Sequence, residues 1–261
     1  MNDAACPDRL IALAHRMADV AAPIARRYFR TPFDVISKDD ESPVTIADRE
    51  VEAAIRKLIA AECPDHGIIG EEHGTERADA EYVWVIDPID GTRAFITGVP
   101  MFGTLIALLR NGKPILGVID QPISNERWIG AAGHPTTFNG KPVRGRACPE
   151  LSAASLVSTS PDMYDPPENG VPFKRLRAAV RFTRFGGDCY AFGLLASGFV
   201  DVATEAMLKP YDYCALVPVI EGAGGKITDW DGRPLTLRSD GRVLAAGDPR
   251  AHEQALKILR G

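Results

Sequence analysis

The stretch Trp84-Val85-Ile86-Asp87-Pro88-Ile89-Asp90-Gly91-Thr92 governs how the rest of the chain is read. The apolar run from Tyr82 to Ile86 predicts a strand buried on both faces. It stops at two carboxylates that flank Pro88 and precede Gly91. Proline has no N–H and a fixed φ, so ladder pairing ends there. Glycine lets the backbone turn sharply toward a ligand. Carboxylates packed this closely repel unless a cation sits between them. Hard divalent cations such as Mg²⁺ take oxygen ligands of this kind, often together with a substrate phosphate. The plain alternative is a turn whose acids are solvated. Glu71 and Glu72 weigh against it, because they end a second apolar run, Ile68-Ile69-Gly70, and strand ends commonly carry ligands in α/β folds. Glu76, Asp79 and Glu81 between the two runs read as surface acids.

Upstream, Leu10, Leu13, Ala14, Met17, Ala21, Ile24, Ala25 and Tyr28 follow helical spacing, with Pro23 a kink or an early end. A polar loop from Ser37 carries Lys38, and a second helix is predicted to begin between Thr45 and Asp48 with Val51, Ala54, Ile55, Leu58 and Ile59 inward. Downstream, the runs 103–109 and 115–119 flank Asn111-Gly112, a hairpin signal, and 126–131 adds a strand. Past Asn139-Gly140, strand-like runs at 156–159, 180–185, 200–203, 226–228 and 243–246 alternate with helical runs at 189–197, 211–223 and 252–259. Residues 1–140 therefore read as an α+β lobe holding most of the acids. Residues 141–261 read as an α/β lobe.

The composition excludes several classes. With 30 Lys+Arg against 35 Asp+Glu the 261-residue chain carries a net charge of −5, which disfavours a general nucleic-acid binder. No apolar run approaches a membrane span, and the first ten residues do not read as a signal peptide. Cys6, Cys63, Cys148, Cys189 and Cys214 are odd in number and scattered. A disulfide framework and a zinc site are not expected, and a cytoplasmic location is.

The second acidic cluster is Lys209-Pro210-Tyr211-Asp212, which opens the run ending at Glu221-Gly222-Ala223-Gly224-Gly225. Taken alone, Asp212 reads as a helix cap. In order and spacing, however, Gly70-Glu71-Glu72, WVIDPIDGT at 84–92, Tyr211-Asp212 and the glycine-rich stretch after it resemble the inositol monophosphatase family. KDDESPVTIAD at 38–48 is similar to that family's first motif, so the resemblance covers nearly the whole chain. It implies a layered αβαβα sandwich of the type shared with fructose-1,6-bisphosphatases, an Mg²⁺-dependent phosphomonoesterase, and a homodimer. It further implies that Glu71, Asp87, Asp90, Asp212 and the Ile89 carbonyl hold two or three Mg²⁺ ions. Thr92 paired with Asp48 would orient the attacking water, and the backbone of Gly91 and Thr92 would touch the phosphate. Glu71 joins Thr92 and Asp48 as a catalytic candidate, and Asp90 and Asp212 also border the substrate. Lys38 reads equally as a charge partner for the acids and as an exposed loop lysine.

The substrate is read from the departures. DGT is followed here by Arg93-Ala94-Phe95, and Gly186-Gly187-Asp188 stands where inositol phosphatases usually have Gly-Thr-Ala. With ERWIGA at 126–131, these forms are similar to the histidinol-phosphate phosphatase branch. A cationic substrate calls for extra carboxylates, which makes Asp188 and Glu205 the expected recognition residues. An N-cap on the following helix is the plain reading of Asp188. Arg93 is a candidate for the substrate, an acid or a dimer interface, and the sequence leaves that open. Phe182, Phe185 and Tyr190 default to core. The alternatives are another small-molecule phosphatase of the same fold, acting for example on inositol 1-phosphate, and a regulatory protein- or RNA-binding member of the family. The acidic pI and the complete set of acids argue against the second.

Overall fold

The computed structural model describes residues 5–31, 35–37 and 43–261, with the backbone alone for 35–37 and 43–45. Lys38 lies outside the described residues. The N-terminal periodicity folds as α1 (Asp8–Tyr28), which continues straight through Pro23. Pro23 lies on the exposed side, while Ala18, Ala21, Ala22 and Ala25 pack inward. Tertiary packing thus carries the helix across the missing hydrogen bond. An antiparallel ribbon of β1 (Val35–Ser37) and β2 (Pro43–Thr45) leads into α2 (Ile46–Glu62), which starts inside the predicted window.

Next come β3 (Gly67–Gly70), β4 (Gly74–Glu76), β5 (Tyr82–Asp90) and the short α3 (Thr92–Ile96). They are followed by β6 (Gly103–Arg110), β7 (Lys113–Gln121), β8 (Glu126–Ala131), β9 (His134–Phe138) and β10 (Lys141–Pro142). These strands form one sheet in the order β10-β9-β8-β7-β6-β5-β3-β4. Only the β3–β5 pair in it is parallel. Asn111 (φ 50°) and Gly112 (φ 77°) make the two-residue turn between β6 and β7. Positive φ at both positions is what a primed hairpin turn demands.

The remaining elements are β11 (Ser155–Ser158), α4 (Pro167–Ala179), β12 (Phe182–Phe185), α5 (Asp188–Ala196) and β13 (Val202–Glu205). After them come α6 (Pro210–Tyr213), α7 (Leu216–Gly222), β14 (Lys226–Thr228), β15 (Val243–Ala246) and α8 (Pro249–Arg260). A second sheet has the order β12-β11-β13-β15-β14, with β11 parallel to both of its neighbours. Two expectations are corrected here. The helical run expected over 211–223 is two helices, because Pro218 lacks the N–H that would reach the Cys214 carbonyl at the break. The strand expected at 200–203 is β13, two residues later, and Glu205 is its last residue. The helix α4 was not anticipated, since Asn169, Gly170 and Pro172 interrupt its pattern.

The layers stack as αβαβα. Helices α1 and α2 cover one face of the large sheet, α5 and α7 fill the space between the sheets, and α4 and α8 cover the far face of the small one. Strand β5 shows why its run is apolar throughout. Trp84 and Ile86 pack into the α1–α2 core, while Val83 and Val85 pack into the α5–α7 core. Side chains alternate faces along a strand, so a strand between two helical layers needs apolar residues at every position.

Candidate active site

The acidic site is built on a fault in β5. Asp87 pairs with Leu105 and Asp90 with Gly103, so β5 takes three steps where β6 takes two. This is a bulge of one residue. In a regular strand, residues three apart face opposite ways. The bulge turns Asp87 and Asp90 to the same side and lifts Ile89 out of register. The Pro88 carbonyl is held by the Thr104 hydroxyl at 2.7 Å, and the Ile89 carbonyl accepts from the Thr92 hydroxyl at 3.1 Å. Gly91, at φ 88°, then turns the chain into α3.

Asp212 arrives from far along the chain, in the first turn of α6. Its Oδ2 accepts from the Lys209 N–H at 2.6 Å, so the capping role expected of it is real. It also faces the cluster, since Asp87, Asp90 and Asp212 each offer an oxygen within 4.8 Å of the others. Asp87 Oδ1 is buried and accepts no hydrogen bond. Burial first, then the charges of Glu71, Asp90 and Asp212, push Asp87 well above the usual carboxylate range. Burial and Asp212 push Asp90 up to about 7, and burial with Glu71 beside it pushes Asp212 up to about 7. Buried hard oxygens that repel one another, one of them unsatisfied, fit a divalent cation such as Mg²⁺. Glu71 stands just outside this trio and lines the same cleft.

Glu71 is positioned by a residue the sequence reading missed. Fully buried Glu52 on α2 accepts from the Glu72 N–H at 2.7 Å and the His73 N–H at 3.1 Å, and pairs with Arg56 at 2.7 Å. A Cβ on Gly70 would lie 1.9 Å from Glu52 Oε1, so glycine is required for this carboxylate to approach. A signal was present: Asp48 and Glu52 sit at i, i+4 within the same inward stripe as Ile55 and Ile59. Two acids in an apolar stripe call for a reason.

The cleft is about 550 Å³. It gathers the ends of β3, β5, β11 and β13, bringing Glu71, Asp90, Thr159 and Glu205 around one space. Asp188 also lines it and packs against Gly91, where an added Cβ would lie 3.0 Å from its Cγ. Asp188 is the first residue of α5 rather than its cap; the cap position is Gly187 and carries no side-chain hydrogen bond. The N–H of Cys189 donates to Asp90 Oδ2 at 2.6 Å, tying α5 to the acidic end of β5. Burial and the Asp90 charge push Asp188 up to about 7. Burial pushes Glu205 well up, although the Thr159 hydroxyl donates to it at 2.6 Å.

Arg93 stands at the mouth, exposed, 3.8 Å from the equally exposed Asp162. Asp48 is buried in the first turn of α2. The three aromatics assigned to core behave differently from one another. Phe185 is partly buried against the α4–α8 core. Tyr190 is partly buried and donates to Glu126 at 2.8 Å. Phe182 is 54% exposed on the edge strand, because the edge has no layer beyond it. None of the three lines the cleft.

Comparison with known proteins agrees with this architecture. Residues 7–261 match the sequence profile of the inositol monophosphatase family. The bifunctional phosphatase IMPL2, chloroplastic, of Arabidopsis thaliana is 51% identical over 97% of this chain and 75% of its own length. The histidinol-phosphatase of Chlorobaculum parvum is 41% identical over 92% of both. A solved inositol monophosphatase from Zymomonas mobilis superposes with a TM-score of 0.90 at 50% identity, covering 97% of this chain and 98% of that one.

Proposed function

The chain belongs to the inositol monophosphatase family, and from that premise we propose that it is an Mg²⁺-dependent phosphomonoesterase that hydrolyses L-histidinol phosphate to L-histidinol and phosphate. The observation that carries the substrate is the pair Asp188 and Glu205. Both are largely buried, both line the cleft, and neither forms an ion pair with a lysine or arginine among the described residues. A neutral polyol does not call for the added carboxylate of Asp188, whereas an ammonium and an imidazole do. The 41% identity to a histidinol-phosphatase supports the same reading.

Asp87, Asp90, Asp212, Glu71 and the Ile89 carbonyl would hold two or three Mg²⁺ ions. Bound Mg²⁺ supplies positive charge to the phosphate and acidifies water. Gly91 and Thr92 present backbone N–H groups to the phosphate at the start of α3. Thr92, fixed on the Ile89 carbonyl, orients the attacking water together with Asp48. Water attacks phosphorus in line, the bond from phosphorus to the alcohol oxygen breaks, and the leaving alkoxide takes up a proton. Arg93 guards the mouth. We take the enzyme as cytoplasmic, in keeping with five buried free thiols, and as a homodimer, which sedimentation would test. Among the described residues no helix is long and apolar enough to cross a membrane.

A second reading, inositol 1-phosphate, is supported by the 50% identity to the solved inositol monophosphatase from Zymomonas mobilis. Phosphate release from L-histidinol phosphate, inositol 1-phosphate, fructose bisphosphate and adenosine 3′,5′-bisphosphate separates the two. We expect kcat/KM at least ~100-fold higher for L-histidinol phosphate, about 2.7 kcal/mol of transition-state preference. Asp188→Asn should raise KM for that ester much more than for a neutral one. Preference for inositol 1-phosphate would overturn the substrate and leave the fold and metal site intact.

A further inference from the structure

Met207 follows Glu205 by two residues and lines the same cleft. Its side chain is 61% exposed. Its backbone has φ 67°, the left-handed region where a Cβ crowds the following carbonyl and where glycine is at ease. Strain kept at a cleft wall is a pointer toward use. Packing does not account for this side chain, because most of it faces solvent. The turn is fixed by its neighbour instead, since the Leu208 N–H donates to the Gly241 carbonyl at 3.1 Å. The apolar lining of the cleft is Met163, Ala206, Met207 and Leu208, with no aromatic ring among the lining residues. Its carboxylates are Glu71, Asp90, Asp162, Asp188, Glu205 and Asp212.

We propose that Met207 is a specificity-determining residue, an apolar thioether that closes over the flat ring of an amino-alcohol phosphate while Asp188 and Glu205 take its cationic groups. The proposal rests on the substrate reading above and deepens it. A thioether on a flexible stem adapts to a ring face or edge and is attracted to it. Binding a ring would cover the exposed side chain and give the strained turn a return in selectivity. A cyclic polyol such as inositol has a puckered, hydroxylated ring with no flat aromatic face and draws less from this contact.

The test compares L-histidinol phosphate with O-phosphoethanolamine, which keeps the ammonium and lacks the ring. Wild type, Met207→Gly and Met207→Leu are assayed with saturating Mg²⁺. Met207→Gly should lower the preference for L-histidinol phosphate about fivefold or more, mainly through KM. Its melting temperature should not fall, because glycine relieves the strained φ. Met207→Leu, which keeps an apolar surface, should hold the preference within about twofold. A wild-type preference that survives Met207→Gly, or that Met207→Leu lowers equally, overturns the assignment alone. A wild type that turns over both esters equally overturns the substrate reading, and the assignment with it.

Discussion

Asp90 and Asp201 are both largely buried aspartates, and the molecule satisfies them in opposite ways. Asp201 receives Arg146 at 2.5 and 2.6 Å, the Ser155 N–H at 2.7 Å and the Ser155 hydroxyl at 2.8 Å. Burial works to raise its pKa, but these donors win and leave it below the usual range. Asp90 receives the Cys189 N–H, stands among other acids, and is pushed up to about 7 by burial and Asp212. The first region is neutralised from within and needs nothing more. Among the described residues no lysine or arginine side chain forms a salt bridge with Asp90, Asp188, Glu205 or Asp212 in the cleft, which leaves room there for a bound cation.

The sharpest way to break this contrast is to remove one oxygen from each region. Asp90→Asn should lower kcat/KM in the phosphate-release assay at least ~10²–10³-fold, the scale of losing a key electrostatic contact in a reaction centre. If it leaves turnover nearly intact, the acids are not a metal site.

Acidity distinguishes the regions next. An acid whose folded pKa is raised binds more protons when folded, so its stabilisation is full at low pH and declines as pH rises from its unfolded value near 4 through about 7. Metal-free protein should therefore melt about 5 °C lower at pH 8 than at pH 5, a shift of ~2 kcal/mol. Mg²⁺ should restore stability at pH 8 far more than at pH 5. Asp201, with its pKa depressed, contributes the opposite sign, a loss only on acidification below about pH 4. Calorimetry at the two pH values, with and without Mg²⁺, checks both signs.

Asp201→Asn should cost about 1–2 kcal/mol in urea denaturation, below the usual figure for a broken buried pair because Arg146 is half exposed and can be solvated. Its turnover should stay close to wild type. The smallest effect concerns support rather than contact. Glu52→Gln keeps an acceptor for the Glu72 N–H but loses the Arg56 pairing, and should raise the Mg²⁺ concentration for half-maximal activity about tenfold.

Much of this was legible before any coordinates. The acids at 87 and 90, the glycine between strand and helix and the Asn-Gly hairpin are local, and local chemistry writes itself into spacing; Asp212 alone read as a helix cap and joined them only through the family resemblance. Glu52 escaped because its partners, the N–H groups of residues 72 and 73, lie 20 and 21 residues away in the turn between β3 and β4. Phe182 was assigned to the core because an apolar residue in a strand does not reveal whether its strand is central or at an edge. Pro23 was read as a possible break because propensity ignores the inward alanines that hold α1 in place.

By itself, then, the sequence determined most of the element types and which acids would end the strands, since periodicity, turn chemistry and charge are properties of neighbours along the chain; the layered class came from the resemblance of its motifs to a known family. The tertiary structure alone decided that a one-residue bulge turns Asp87 and Asp90 to one side. It also decided that α5 docks the Cys189 N–H on Asp90, and that Asp188, Glu205 and Met207 line a single cleft. The Cys189–Asp90 contact joins residues 99 apart, and only packing of one layer on the next sets such a distance and direction.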